Sequence, residues 1–253
     1  MHPELCIPAS RWEHRRETAV THVVSKRRKP KLFVLVTVLV AAIAVPAAAL
    51  FVYPPGTRPN GKTYSMHAAD WWKWAATQPV SESAILDTTG ENCAVGQARF
   101  GLNWYLAGTF GGDPVIRSCS VPFGRTLIFP VVNAISGAFP TDPPAEKTVA
   151  FQRSVIAGTR DAAQNLEVEI DGKPVADVER FYEESVPFSF RLPADNIFGA
   201  PAGTLVSPAV DNGFYLAVAP LGLGDHTIHI HGELGDQVVD VTYNLKVRFL
   251  VRF

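Results

Sequence analysis

Charge is scarce in this chain, and so are the sulfur residues. Asp, Glu, Lys and Arg make up 19% of the 253 residues, with only three cysteines and two methionines. Hydrophobic residues reach 47%. That balance excludes a disordered, self-repelling polymer and leaves enough apolar material for a real core. Also missing are the phosphate-cradling P-loop, the dinucleotide-binding glycine fingerprint, the G-x-S-x-G nucleophile elbow and the zincin helix. There is no repeat at a solenoid period and no low-complexity tract. Net positive charge is absent from the larger part of the chain, where a nucleic-acid partner would need it. Residues 1–49 carry 8 Lys and Arg against 3 Asp and Glu, whereas residues 50–253 carry 15 against 21. The larger part is acidic, which argues against nucleic acid as a partner.

One long stretch has no charge at all. Residues 32–53, LFVLVTVLVAAIAVPAAALFVY, follow directly on Lys26, Arg27, Arg28, Lys29 and Lys31. The run is long enough to cross a bilayer as a helix, and the basic flank predicts an N-terminus held inside. Leu32–Val45 also suits the apolar region of a signal peptide, and Ala47-Ala48-Ala49 offers a small-residue cleavage point near Ala49. The preceding segment is long for a signal peptide, so an uncleaved membrane anchor and a cleaved leader both remain open. The expected organisation is a basic cytoplasmic segment over 1–31, a signal or transmembrane helix over 32–53, a Pro/Gly linker over 54–63, and one extracytoplasmic β-rich domain over 64–253.

Within that domain, Ser65 precedes MHAADWWKWAATQ and Pro79 ends it, which predicts a capped helix. At 100° per residue, Trp71, Trp72 and Trp74 fall within about 160° of arc. A face that wide calls for burial against a sheet; its functional alternative is an aromatic platform for sugar rings. A second helix is expected over residues 142–163, with Asp142 as cap and Pro143 in its first turn. Strand-like runs fall at 103–110, 115–121, 126–134, 166–170, 174–178, 188–192 and 214–219, with a hairpin turn at Asp171-Gly172. The alternating end of the chain is suggestive of an outer-membrane barrel strand, but two helices and few strand pairs argue against it.

The C-terminal stretch reads most clearly. Ile228 and Ile230 alternate with Thr227, His229 and His231; Val239, Val241, Tyr243 and Leu245 alternate with Asp240, Thr242 and Asn244. A two-residue turn at Gly235-Asp236 sets Ile230 against Val241 and His231 against Asp240, so apolar meets apolar and polar meets polar. His229, His231 and Asp240 then share one face, and two imidazoles with a carboxylate form a recognised divalent-metal ligand set. His226 falls on the other face, and Glu233 follows too soon after His231 for a cupin-type site. The plain alternative is a half-exposed polar strand face. Glu167 and Glu169 also share a strand face, where a solvated surface is a better account than a glycosidase pair.

Cys6 precedes the hydrophobic run, while Cys93 and Cys119 follow it, where a disulfide between them can form. A zinc site there would need further ligands, and no histidine lies between the two. The stretches WWKWA, LDTTGENCAVGQ, NWYLAGTFGG, RSCSVPFGRTLIFPVVN, VAPLGLGDHTIHIHG and VDVTYNL resemble a family of uncharacterised secreted bacterial proteins. The resemblance covers most of residues 64–250 and implies export and the Cys93–Cys119 bridge. The expected fold is mainly β, an antiparallel β-sandwich with two packed helices. The expected function is a non-catalytic extracytoplasmic binding or structural module of the cell envelope with a protein or glycan partner. A metal-dependent enzyme using His229, His231 and Asp240 and a carbohydrate-binding module are the alternatives.

Overall fold

The structure is a computed structural model that describes residues 51–249. The basic segment, residues 32–50 of the hydrophobic run, Cys6 and the cleavage point near Ala49 lie outside the described residues. Among the described residues no helix is long and apolar enough to cross a membrane.

Among the described residues, two five-stranded sheets carry the fold. The first contains β1 (Asn103–Tyr105), β3 (Thr126–Gly137), β6 (Tyr182–Glu184), β7 (Phe188–Arg191) and β8 (Leu205–Val218), in the order β1-β3-β8-β6 with β7 also paired to β8. The second runs β2 (Val115–Pro122), β10 (Gln237–Arg248), β9 (Gly224–Leu234), β4 (Ala163–Ile170) and β5 (Lys173–Pro174). Their apolar faces form one contiguous core. Gly232 of β9 lies against Val131 and Val132 of β3, so close that a Cβ would come within 2.9 Å of the Val132 side chain. A larger residue there would wedge the sheets apart.

The β9–β10 hairpin has the register expected from alternation. His231 pairs with Asp240, Ile230 with Val241 and Ile228 with Tyr243. The inward residues are buried, and the outward ones are half-buried or exposed. Asp171 and Gly172 both take positive φ, as the tight β4–β5 turn requires. The second strand of that hairpin stops at Pro174, short of the expected 178. Val178–Phe181 instead forms a 3₁₀ turn that buries Val178 and Phe181. Two ladders depart from the antiparallel expectation: β2 runs parallel to β10, and β1 parallel to β3. These pairings join distant segments or follow a crossover, so local alternation does not encode their direction.

The helices are present with altered limits. Helix α1 spans Tyr64–Ala76, and its cap is Thr63, whose Oγ1 accepts from the Met66 amide at 3.3 Å. Ser65 is already helical. The continuous helix expected over 142–163 is replaced by α2 (Val149–Val155) and α3 (Thr159–Ala162), interrupted before Gly158. Thr148 caps α2, while Asp142 accepts from the Phe139 amide in the preceding turn. The folded domain also begins earlier than residue 64. Val52 bridges Val218 of β8, the Tyr53 amide donates to the Ala217 carbonyl, and the Ala219 amide donates to Phe51. Phe51–Tyr53 therefore extends the first sheet, because β8 offers an unpaired edge there.

Cys93 and Cys119 are joined by a disulfide, with a Cα–Cα distance of 6.1 Å. It ties the loop after α1 to β2. Gly90 in that loop has φ +94° and lies so close to the Ser118 backbone that any side chain would collide with it. Replacing both cysteines with serine should lower stability by about 3 kcal/mol. Chemical denaturation should show that loss, and reductant should reproduce it in the wild type.

Candidate functional site

The three indoles of α1 are buried, which overturns the sugar-platform expectation for Trp71, Trp72 and Trp74. Each ring also uses its N–H internally. Trp71 donates to the Leu106 carbonyl at 2.9 Å, Trp72 to the Asp211 carboxyl at 2.5 Å, and Trp74 to the Val95 carbonyl at 2.8 Å. A stacking platform needs an open ring face, and these rings pack on one another and on Tyr215 and Tyr105.

The histidine face is where the hairpin register puts it. His229 Nε2 lies 3.0 Å from Asp240 Oδ1, and His231 Nδ1 lies 3.5 Å from Asp240 Oδ2. Both imidazoles thus approach one carboxylate, with ring centroids 6.4 Å apart. His226 stays off this face, held by Asp171 at 2.7 Å and by the Gly222 carbonyl at 3.0 Å. Strand β4 supplies what local reading could not join: Glu167 pairs with His231 and Glu169 with His229. The outer surface of the second sheet therefore carries two carboxylates on β4, two imidazoles on β9 and one carboxylate on β10. Both glutamates are exposed, and His229 keeps 38% of its side-chain surface open. Among the described residues no group of three such side chains converges closely enough to hold a metal ion as it stands.

A second polar cluster lies inside the fold. Asp211 of β8 is fully buried and accepts from Trp72 and, at 3.2 Å, from Asn133. Its Oδ2 has no partner among the described residues. Burial pushes its carboxyl up to about 7, and hydrogen bonds from Trp72, Tyr215 and Asn133 together with the Arg153 charge only partly offset that. Arg153 of α2 donates to the Asp211 carbonyl, to Asn212 Oδ1 and to the Ser185 carbonyl. Trp72 and Asn133 also line an adjoining pocket of about 230 Å³. With no oxygen of Asp211 open to solvent, this cluster clamps α1 and α2 onto β8.

Arg117 of β2 is likewise buried. Its guanidinium donates to the carbonyls of Asp87, Ala107, Gly108 and Ile85 and to the Tyr243 hydroxyl. A third feature is a pocket of about 430 Å³ beside the disulfide loop, lined by Arg99, Trp104, Val121, Arg125, Arg248 and Phe249 among others. Sequence reasoning missed it because its arginines stand on three distant segments.

No family model and no curated protein sequence matches the chain. Among solved structures it is similar to the cysteine protease inhibitor EhICP2 from Entamoeba histolytica. That match has 12% identity, covers 52% of this chain and 86% of that one, and has a TM-score of 0.20. A score that low carries no argument about fold or activity.

The Asp211 carboxyl makes a pH prediction with a definite sign. Its folded value is raised, so between about pH 4 and pH 7 the native state keeps a proton that the unfolded chain releases, and stability falls as pH rises. Relative to Asp211→Asn, the wild type should lose on the order of 4 kcal/mol from pH 4 to pH 8. Parallel stability curves for the two proteins would refute it.

Proposed function

We propose that this protein is a non-catalytic, extracytoplasmic binding module of the cell envelope, whose working surface is the outer face of the second sheet. The observation that carries this is the open, register-fixed array of Glu167 and Glu169, His229 and His231, and Asp240. Turnover favours a recess that excludes water. A flat strand face with solvent on it suits contact with a partner. Its two imidazoles, set between the Glu167 and Glu169 carboxylates and that of Asp240, give it the chemistry to receive cationic or hydroxyl-rich groups. The disulfide supports an oxidising compartment, and with it export through the hydrophobic segment ahead of Phe51.

The second reading is a divalent-metal site on His229, His231 and Asp240, a set from which a metal-dependent enzyme could be built. It is favoured by one observation, the approach of both imidazoles to a single carboxylate. A metal would have to replace the His–Asp contacts, and binding would weaken as the imidazoles protonate.

Two measurements separate the readings. A photo-crosslinking residue at Thr242, on the same face, should give a discrete adduct in intact cells, and Glu169→Ala with Asp240→Asn should abolish it. Absence of any adduct from this face would overturn the binding reading. Titration of the metal-free protein with zinc, copper and manganese tests the second. Saturable binding that His229→Ala with His231→Ala removes would establish it, and no saturable binding would retire it.

A further inference from the structure

The pocket beside the disulfide loop concentrates positive charge inside an otherwise acidic domain. Arg125 precedes β3 and is only 6% exposed. It donates to the carbonyls of Gly101 and, at 2.7 Å, Arg99. No described carboxylate pairs with Arg125, Arg99 or Arg248; the described salt bridges all lie elsewhere. Burial also weighs against the charge on Arg125. Two carbonyl dipoles hold that cation in place without neutralising it, which is a costly arrangement until an anion arrives.

The rest of the lining is mostly apolar, with Trp104, Val121, Pro122, Phe249 and the alanines at 94 and 98, and adds only Gln97 and Ser120 as uncharged polar groups. At its rim Phe249 is 65% exposed, and the half-exposed Phe123 packs edge-on against it at 5.4 Å. Large apolar side chains left open together mark a contact site rather than random surface. A volume of about 430 Å³ falls in the range that encloses small organic ligands. Arginine forks match carboxylate and phosphate oxygens, and the apolar wall matches a hydrocarbon body.

The geometry points to a binding site for a free, single-chain anionic amphiphile, its carboxylate or phosphate head held among Arg99, Arg125 and Arg248 and its apolar body laid against Trp104, Val121 and Phe249. This site is separate from the histidine face. It deepens the binding-module reading by naming a ligand class, and it rests on that reading only in assigning a binding role. The crosslinking test on the sheet face and the test below fail independently.

The probe is 12-bromododecanoate, added to the full chain in a neutral detergent, because a bromine near an indole quenches its fluorescence. Saturable quenching is expected, with dodecanoate and dodecyl phosphate competing and dodecyltrimethylammonium failing to compete. Trp104→Phe should remove the saturable component, although the hydrophobic segment and the other tryptophans are unchanged. The exposed pair Arg99→Gln with Arg248→Gln should weaken binding by about tenfold or more. Arg125→Gln should do the same if it folds; the double variant keeps the test decisive if it does not. Quenching that survives in the double variant, or that the cationic amphiphile competes equally, would overturn the site. So would association with anionic phospholipid vesicles but not with the free acids, which would make this a membrane-contact surface instead.

Discussion

Three indole N–H groups on one short helix set the constraint on which the rest of the structure depends. A tryptophan can be buried at little cost only when its N–H finds an acceptor. Helix α1 has three such rings within two turns, and they find acceptors in three separate places: Leu106 after β1, Asp211 in β8, and Val95 in the disulfide loop. The helix is therefore the junction of the first sheet with the loop that the disulfide closes. Asp211 meets the demand of Trp72 by being buried as an acceptor, and Asn133 and Arg153 are arranged around it as a consequence.

Arg117 does on the second sheet what Asp211 does on the first. It sits fully buried in β2 and holds the carbonyls of Ile85, Asp87 and Ala107, loop groups that would otherwise be left without partners. Tyr243 of β10 accepts from the same guanidinium and donates to Ala107. The buried charge thus substitutes for regular pairing in a region where β1 is only three residues long and the chain is otherwise loop. Loop order on this side supports the arginine-rich pocket, because Arg125 is held by the carbonyls of Arg99 and Gly101.

The two candidate surfaces differ in how they are built. The histidine face is a product of strand register: once Gly235-Asp236 turns the chain, His231 must meet Asp240, and His229 follows on the same side. The arginine pocket depends on loops packed over the end of β2 and on β10 lying parallel to it, with Arg248 opposite Pro122. The first is an open strand face; the second is a hollow lined by three arginines. Such a division between a regular sheet face and a loop-built hollow lets one small domain offer two contacts of opposite charge preference.

The amino-acid sequence by itself determined the elements whose information is local. Alternation over residues 224–248 specified the β9–β10 register, because shifting it by one residue would expose Ile228, Ile230 and Tyr243. Asp171-Gly172 specified a turn through its tolerance of positive φ, and the tryptophan spacing specified a buried face on α1. Helix limits were less legible: Thr63 and Thr148 act as caps where Ser65 and Asp142 had similar chemistry, and only the chain's path through the fold selects between them. Tertiary structure alone decided the rest. The parallel course of β2 beside β10, the meeting of Glu167 and Glu169 with the histidines, the burial of Asp211 and the convergence of three arginines all join segments far apart along the chain. No local periodicity records such a meeting, since each partner's pattern is satisfied equally well by any neighbour that covers its apolar face.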